Sequence, residues 1–108
     1  MTIADVAARA EFRADKMGKA DLVRTDALLA GLNCLEPGQR HSLHSHAGQD
    51  KLYYIVAGRA EVTVGEGTSS LGPGALVLAR SGEPHALANP GPERLIALVV
   101  MAPPPAAK

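Results

Sequence analysis

The stretch HSLHSHAGQDK, His41 to Lys51, carries three of the chain's four histidines. Imidazole nitrogens bind divalent transition metals at about 2 Å, and they also exchange protons near neutral pH. Along an extended strand, residues two apart project to the same side. His44 and His46 therefore face together, and two imidazoles so placed can share one ion. His41 has the opposite parity if the strand is regular from 41 to 46, which predicts a surface histidine. Lys51 follows closely, a cation where a metal site favours an acid. An ammonium within about 4–6 Å of a divalent ion is disfavoured, so Lys51 must swing away, pair with an acid or occupy the metal's place.

The remaining reactive residues have plainer readings. Cys34, the only cysteine, alternates in phase with Leu28, Ala30 and Leu32, which predicts a buried thiol packed as a small hydrophobe. Tyr53 shares the face of Lys51 while Tyr54 faces the other way. Tyr53 then either offers its hydroxyl to a ligand in a pocket or serves as a buried structural tyrosine. With three aromatic residues in all, Phe12, Tyr53 and Tyr54, the chain has little with which to stack a flat substrate. A small substrate, or none, is expected.

Composition excludes several classes. Eleven Lys and Arg against eleven Asp and Glu leave no formal charge, and the charges are scattered. Nucleic-acid affinity needs clustered basic charge, so that partner is not expected. A single cysteine makes neither an intrachain disulfide nor a thiolate zinc cluster. The first residues, MTIADVAARAEFRADK, mix charges into apolar positions and offer no signal-like apolar run. No apolar run is long enough to cross a bilayer. A soluble, cytoplasmic domain without a membrane partner is the expectation.

The elements that must position the histidines can be read coarsely. Thr2 and Asp5 resemble a capping box, and Ile3, Val6, Ala7 and Ala10 follow helical spacing, which predicts a short N-terminal helix ending before Gly18. From Asp21 onward, short apolar runs (LVRT, ALLAGLNCL, KLYYIVA, AEVTV, ALVLA, HALA, RLIALVVM) alternate with turn residues (EPGQ, AGR, GEGTSS, GPG, RSGEP, NPGPE). Eleven Gly and eight Pro, mostly in the dividers, fit antiparallel strands joined by tight turns. An all-β sandwich or barrel results. Residues 1–20 form the N-terminal helical or extended segment, 21–102 the barrel, and 103–108 a proline-rich tail that cannot pair in a sheet.

Two motifs make this pattern more specific. Gly38, five residues, His44-Ser45-His46, four residues, Lys51, six residues and Gly58 resembles the first motif of the cupin superfamily. Fifteen residues later, Gly74, five residues, Arg80-Ser81-Gly82, two residues, His85, three residues and Asn89 resembles the second. The resemblance implies a double-stranded β-helix (jelly-roll) barrel with a central pocket, and a homodimer formed by sheet packing. It implies His44, His46 and His85 as metal ligands. The motif's acid falls on Lys51, so the usual glutamate is missing. Gln49, on the face of Lys51, could supply a weak fourth ligand through its amide oxygen. Asp50 could do so only if a bulge shifts the register. Some cupins lack the acid, the thiol dioxygenases among them, and hold iron by three imidazoles, which leaves open positions for substrate and dioxygen.

Arg80 lies near where the resemblance places the pocket mouth. It could grip a substrate carboxylate, or it is a solvated turn residue. Asn89 is assigned to a turn. Three readings of function follow. The first is a metal-dependent, dioxygenase-like enzyme on a small substrate, using Fe, Mn, Ni, Zn or Cu. The second is a metal-free barrel in which His85 is a base and Lys51 or Tyr53 its acid partner. The third is a non-catalytic small-ligand binding module.

Overall fold

The computed structural model describes residues 1–105; the end of the proline-rich tail, residues 106–108, lies outside the described residues. Nine strands form in chain order: β1 Gly18–Arg24, β2 Leu29–Leu35, β3 Arg40–His44, β4 Asp50–Ala57, β5 Ala60–Val64, β6 Gly67–Leu71, β7 Leu76–Ala79, β8 His85–Ala88 and β9 Leu95–Ala102. They pair antiparallel into a five-stranded sheet, β1-β2-β9-β4-β7, and a four-stranded sheet, β3-β8-β5-β6. The chain crosses repeatedly between the two sheets, and the double-stranded β-helix expected from the motifs is the fold observed. Among the described residues, no helix is long and apolar enough to cross a membrane.

Alternation along the strands decides what faces inward. On β4, Lys51, Tyr53 and Ile55 are buried while Tyr54 is exposed, the parity expected of a strand with one face on a core. Leu35, Ile55, Leu87 and Leu95 are completely buried in the main core between the sheets, together with Ala60 and Val62. Each buried side chain of this size contributes about 1.5–3 kcal/mol of transfer free energy. The register ties this apolar cluster to one end of the barrel, because Leu35 pairs with Leu95 whereas Leu29, at the other end of β2, pairs with Met101. Lys51 also pairs with Met101, so the inward side chains of β4 change from ionisable to aliphatic within two pleats.

A second cluster lies outside the five-stranded sheet. Ala20, Leu32, Cys34 and Ile96 are covered there by Val6, Ala7, Ala10 and Phe12. Cys34 is a free, buried thiol in this cluster, as its phase predicts, and burial pushes its pKa up. The N-terminal helix expected from the spacing is only a four-residue 3₁₀ turn, Val6–Arg9. Asp5 itself caps it, accepting from the Ala7 N–H at 3.1 Å. The apolar residues that looked helical do cover the sheet. Extended backbone and one tight turn are enough to lay them down, and a helix this short gains little from its own hydrogen bonds.

Two strands have little apolar signal. β6 reads GTSSL and is exposed over most of its length, and β3 reads RHSLH. The turns between strands are set by glycine. Gly58, with φ of 81°, would place a Cβ 2.3 Å from the Arg94 carbonyl oxygen, so no side chain fits there. β1 starts at Gly18 and pairs with Cys34. At the other end, β9 continues to Ala102, and the Pro105 carbonyl accepts from Arg24 Nη2 at 2.7 Å.

Candidate metal centre

His85 opens β8, and His44 closes β3 directly opposite it in the register. His46 lies just past the end of β3, in the turn toward β4. His44, His46 and His85 each offer a ligand nitrogen, and these atoms lie within 4.8 Å of one another. The ring centroids of His44 and His85 are 4.2 Å apart, and those of His46 and His85 5.7 Å. The three histidines expected as ligands therefore converge. Nitrogens about 2.0–2.1 Å from a shared ion stand roughly 3–3.5 Å apart, so binding one ion would draw the three rings somewhat closer. Among the described residues, the His46 ring, the outlying one, has no side-chain hydrogen bond holding it in place.

The other two rings are held. His44 Nδ1 lies 2.6 Å from the Ser42 carbonyl oxygen, and His85 Nδ1 lies 2.9 Å from that of Glu83. A carbonyl only accepts, so each Nδ1 carries the proton and each Nε2 presents a lone pair. Both Nε2 atoms are buried without a hydrogen-bond partner. Burial lowers the pKa of all three histidines, which keeps them neutral and able to ligate.

His41 is not the surface histidine that regular alternation predicts. Its ring lies 4.1 Å from that of His44, and its Nδ1 is buried without a partner. His41 pairs with Leu87 and His44 with His85, so β3 spends three residues where β8 spends two. This bulge throws Ser42 and Leu43 outward and turns His41 in. Burial, followed by His44 and Lys51, pushes the His41 pKa down to about 3. The sequence signal was the unusual density of His41, His44 and His46, which a single regular strand cannot point one way.

Lys51 is only 4% exposed and faces the same end of the barrel. Its Nζ lies 4.9 Å from the centroid of the Tyr53 ring. Burial, and then Lys19, pulls its pKa down to about 8. Tyr53 is completely buried, its hydroxyl has no partner, and burial raises its pKa. Its ring centroid is 6.1 Å from that of His85.

The candidate fourth ligands do not join this set. Asp50 is exposed and its Oδ1 accepts from the Ser81 N–H at 2.9 Å, which ties two loops together. Gln49 is half-buried in the turn before β4. Among the described residues, the potential metal-binding group contains no acid and remains three histidines. Arg80 is exposed in the turn before His85, where its backbone N–H donates to Glu83 Oε1 at 3.1 Å. Asn89 has the turn role assigned to it: Nδ2 donates to the Leu35 and Glu93 carbonyls at 2.9 and 2.8 Å, and Oδ1 accepts from the Gly91 N–H at 2.8 Å.

A protein of Thermus thermophilus of known structure superposes with a TM-score of 0.93 at 37% identity, over 97% of this chain and all of that one. An uncharacterized protein of Streptomyces coelicolor is 35% identical over 95 residues, covering 88% of this chain and 89% of that one. A Thermotoga maritima structure described as a predicted oxalate decarboxylase matches at 27% identity with a TM-score of 0.77, over 82% of this chain and 81% of that one. Residues 31–101 match the family model for the cupin domain, and the chain belongs to the cupin family.

Proposed function

We propose that this protein is a metal-dependent cupin enzyme that acts on a small substrate at the histidine end of its barrel, with dioxygenase-like chemistry. The supporting observation is the donor geometry. His44 and His85 each fix one nitrogen on a carbonyl and aim the other, buried and unpartnered, toward a shared space. An unsatisfied buried polar atom costs about 1–3 kcal/mol, and ligation relieves that cost. Three imidazoles suit Fe, Mn, Ni, Zn or Cu. A bound ion would supply Lewis acidity and open positions for substrate and dioxygen.

The chain's own residues have definite parts in this reading. The carbonyls of Ser42 and Glu83 hold the His44 and His85 rings in one tautomer. Lys51 offers positive charge beside the site, and the protonated Tyr53 hydroxyl is free to donate to a substrate oxygen. The likeness to a protein described as a predicted oxalate decarboxylase supports chemistry on a small molecule.

The second reading, a metal-free barrel with His85 as base and Lys51 or Tyr53 as acid, is favoured by one observation. A buried lysine with a pKa of about 8 exchanges its proton near neutrality. A screen of dioxygen uptake with small thiols and diketones, before and after exhaustive chelation, separates the readings. Activity that returns only with added metal supports the first. Turnover unchanged by chelation supports the second, and a tight ligand with no turnover indicates a binding module.

The expected homodimer retains one supporting feature. Tyr54, Leu76 and Leu78 are exposed apolar side chains on the outer face of β4 and β7. Sedimentation analysis at micromolar concentration tests it.

A further inference from the structure

Beside His41, whose ring packs against that of His44, the barrel opens into a cleft that none of the sequence motifs marks. Its outer part, about 700 Å³, lies between the N-terminal segment and β3 and is lined by Arg13, Lys16, Lys19, Arg40 and His41, with Glu11 the acid among them. An inner cavity of about 210 Å³ continues from it, because Lys19 and His41 line both. Lys51 reaches this inner cavity from β4, Lys19 from β1, and Leu29, Val99 and Met101 supply an apolar wall.

The charges are unbalanced. Arg13 is paired with Asp15 at 3.0 Å. Among the described residues, Lys16, Lys19, Arg40 and Lys51 have no carboxylate oxygen within 4.0 Å. Asp21 is the acid that lines the inner cavity. Lys51, buried, and Lys19, exposed at the mouth, line one partly apolar cavity; they repel each other, and the buried Lys51 charge is costly unless an anion sits beside it. The Lys51 pKa, lowered by burial and then by Lys19, is consistent with that crowding.

The anion can be specified further. A cavity of about 210 Å³ falls below the usual range for drug-sized ligands and has room for about seven water volumes. The aliphatic wall suits a short hydrocarbon body. Phosphate sites are typically built from helix N-termini or runs of backbone N–H groups, and the lining here is side chains from strands. We propose that Lys19 and Lys51 together bind the carboxylate of a small aliphatic acid, and that the cleft under Arg40 and Lys16 admits it to the histidine end of the barrel. This rests on reading that end as a substrate pocket. It also gives Lys51 a task that the motif's acid could not perform.

Calorimetric titration at low salt tests the proposal with straight-chain carboxylates of three to six carbons, their neutral amides, and inorganic phosphate. The protein is stripped of metal first, and the chelator, itself a carboxylate, is dialysed away. The expected result is that one or more carboxylates bind and their amides bind at least tenfold more weakly. Lys51→Met and the exposed Lys19→Gln should each weaken the carboxylate tenfold or more. Equal binding of amides, unchanged binding in both variants, no carboxylate binding, or phosphate binding tighter than every carboxylate overturns the proposal. Binding is read without metal. A protein that takes carboxylates but never retains metal therefore defeats the metal-enzyme reading alone, and one that retains metal but ignores carboxylates defeats this proposal alone.

Discussion

His85 and Leu87 stand two residues apart on the inward face of β8 and belong to different regimes. Leu87 is fully buried among Leu35, Ile55 and Leu95, in an aliphatic cluster that asks only for volume and shape. His85 is buried nearly as well, yet carries a nitrogen without a partner beside two more imidazoles and an ammonium. One pleat, roughly 7 Å, separates them. The barrel thus keeps its stabilising contacts at one end and accepts unsatisfied polar groups at the other. Such groups persist where surrounding packing over-determines the fold.

The strongest way to break this division is His85→Ala. Metal content and any metal-dependent turnover should fall to background, while the variant stays folded by circular dichroism; elemental analysis of the folded fraction reads the result. Leu87→Ala should do the reverse. Truncating a fully buried leucine costs about 2–5 kcal/mol, read by urea unfolding, and metal per folded chain should be unchanged. Equal effects of both substitutions on both readouts would erase the distinction between the ends.

Lys51 sharpens the comparison through pH. Its folded pKa of about 8 lies below the unfolded value of 10.5. Below pH 8 it is charged in both states, and folding carries the cost of burying the charge. Between pH 8 and 10.5 the unfolded chain binds more protons, so stability rises with pH, by up to about 3 kcal/mol. Lys51→Met should be more stable than wild type at pH 7 and lack this rise. Parallel pH profiles of the two proteins, measured by urea unfolding, would contradict the burial of a charged lysine. The smallest effect is expected at the solvent-exposed rim of the aliphatic end, beside the Leu35–Leu95 pair. The ion pair of Arg94 with Glu36, 2.9 Å long and partly exposed, should lose less than about 1 kcal/mol in Glu36→Gln.

The sequence made the fold legible because strand alternation and turn glycines are local signals. The cupin resemblance carried by the two spaced motifs also groups His44, His46 and His85. His41 was misread because a bulge is one residue of register, set by pairing with β8 rather than by the residues of β3. The N-terminal helix was misread because apolar residues that cover a sheet can do so from extended backbone. β6 gave no apolar signal, being a mostly exposed strand at the edge of its sheet. The cavity lined by both Lys51 and Lys19 joins residues from β4 and β1, and no pattern within either strand could reveal it.

The central claim is that three histidines hold a metal despite the neighbouring lysine. Elemental analysis of untagged protein, purified without added metal and compared with the His44→Ala/His46→Ala double variant, tests it most directly. The account predicts near-stoichiometric transition metal in the wild type and background in the variant. No metal in the wild type, and none after reconstitution with Fe, Mn, Ni, Zn or Cu, would contradict it and leave Lys51 in the place of the ion.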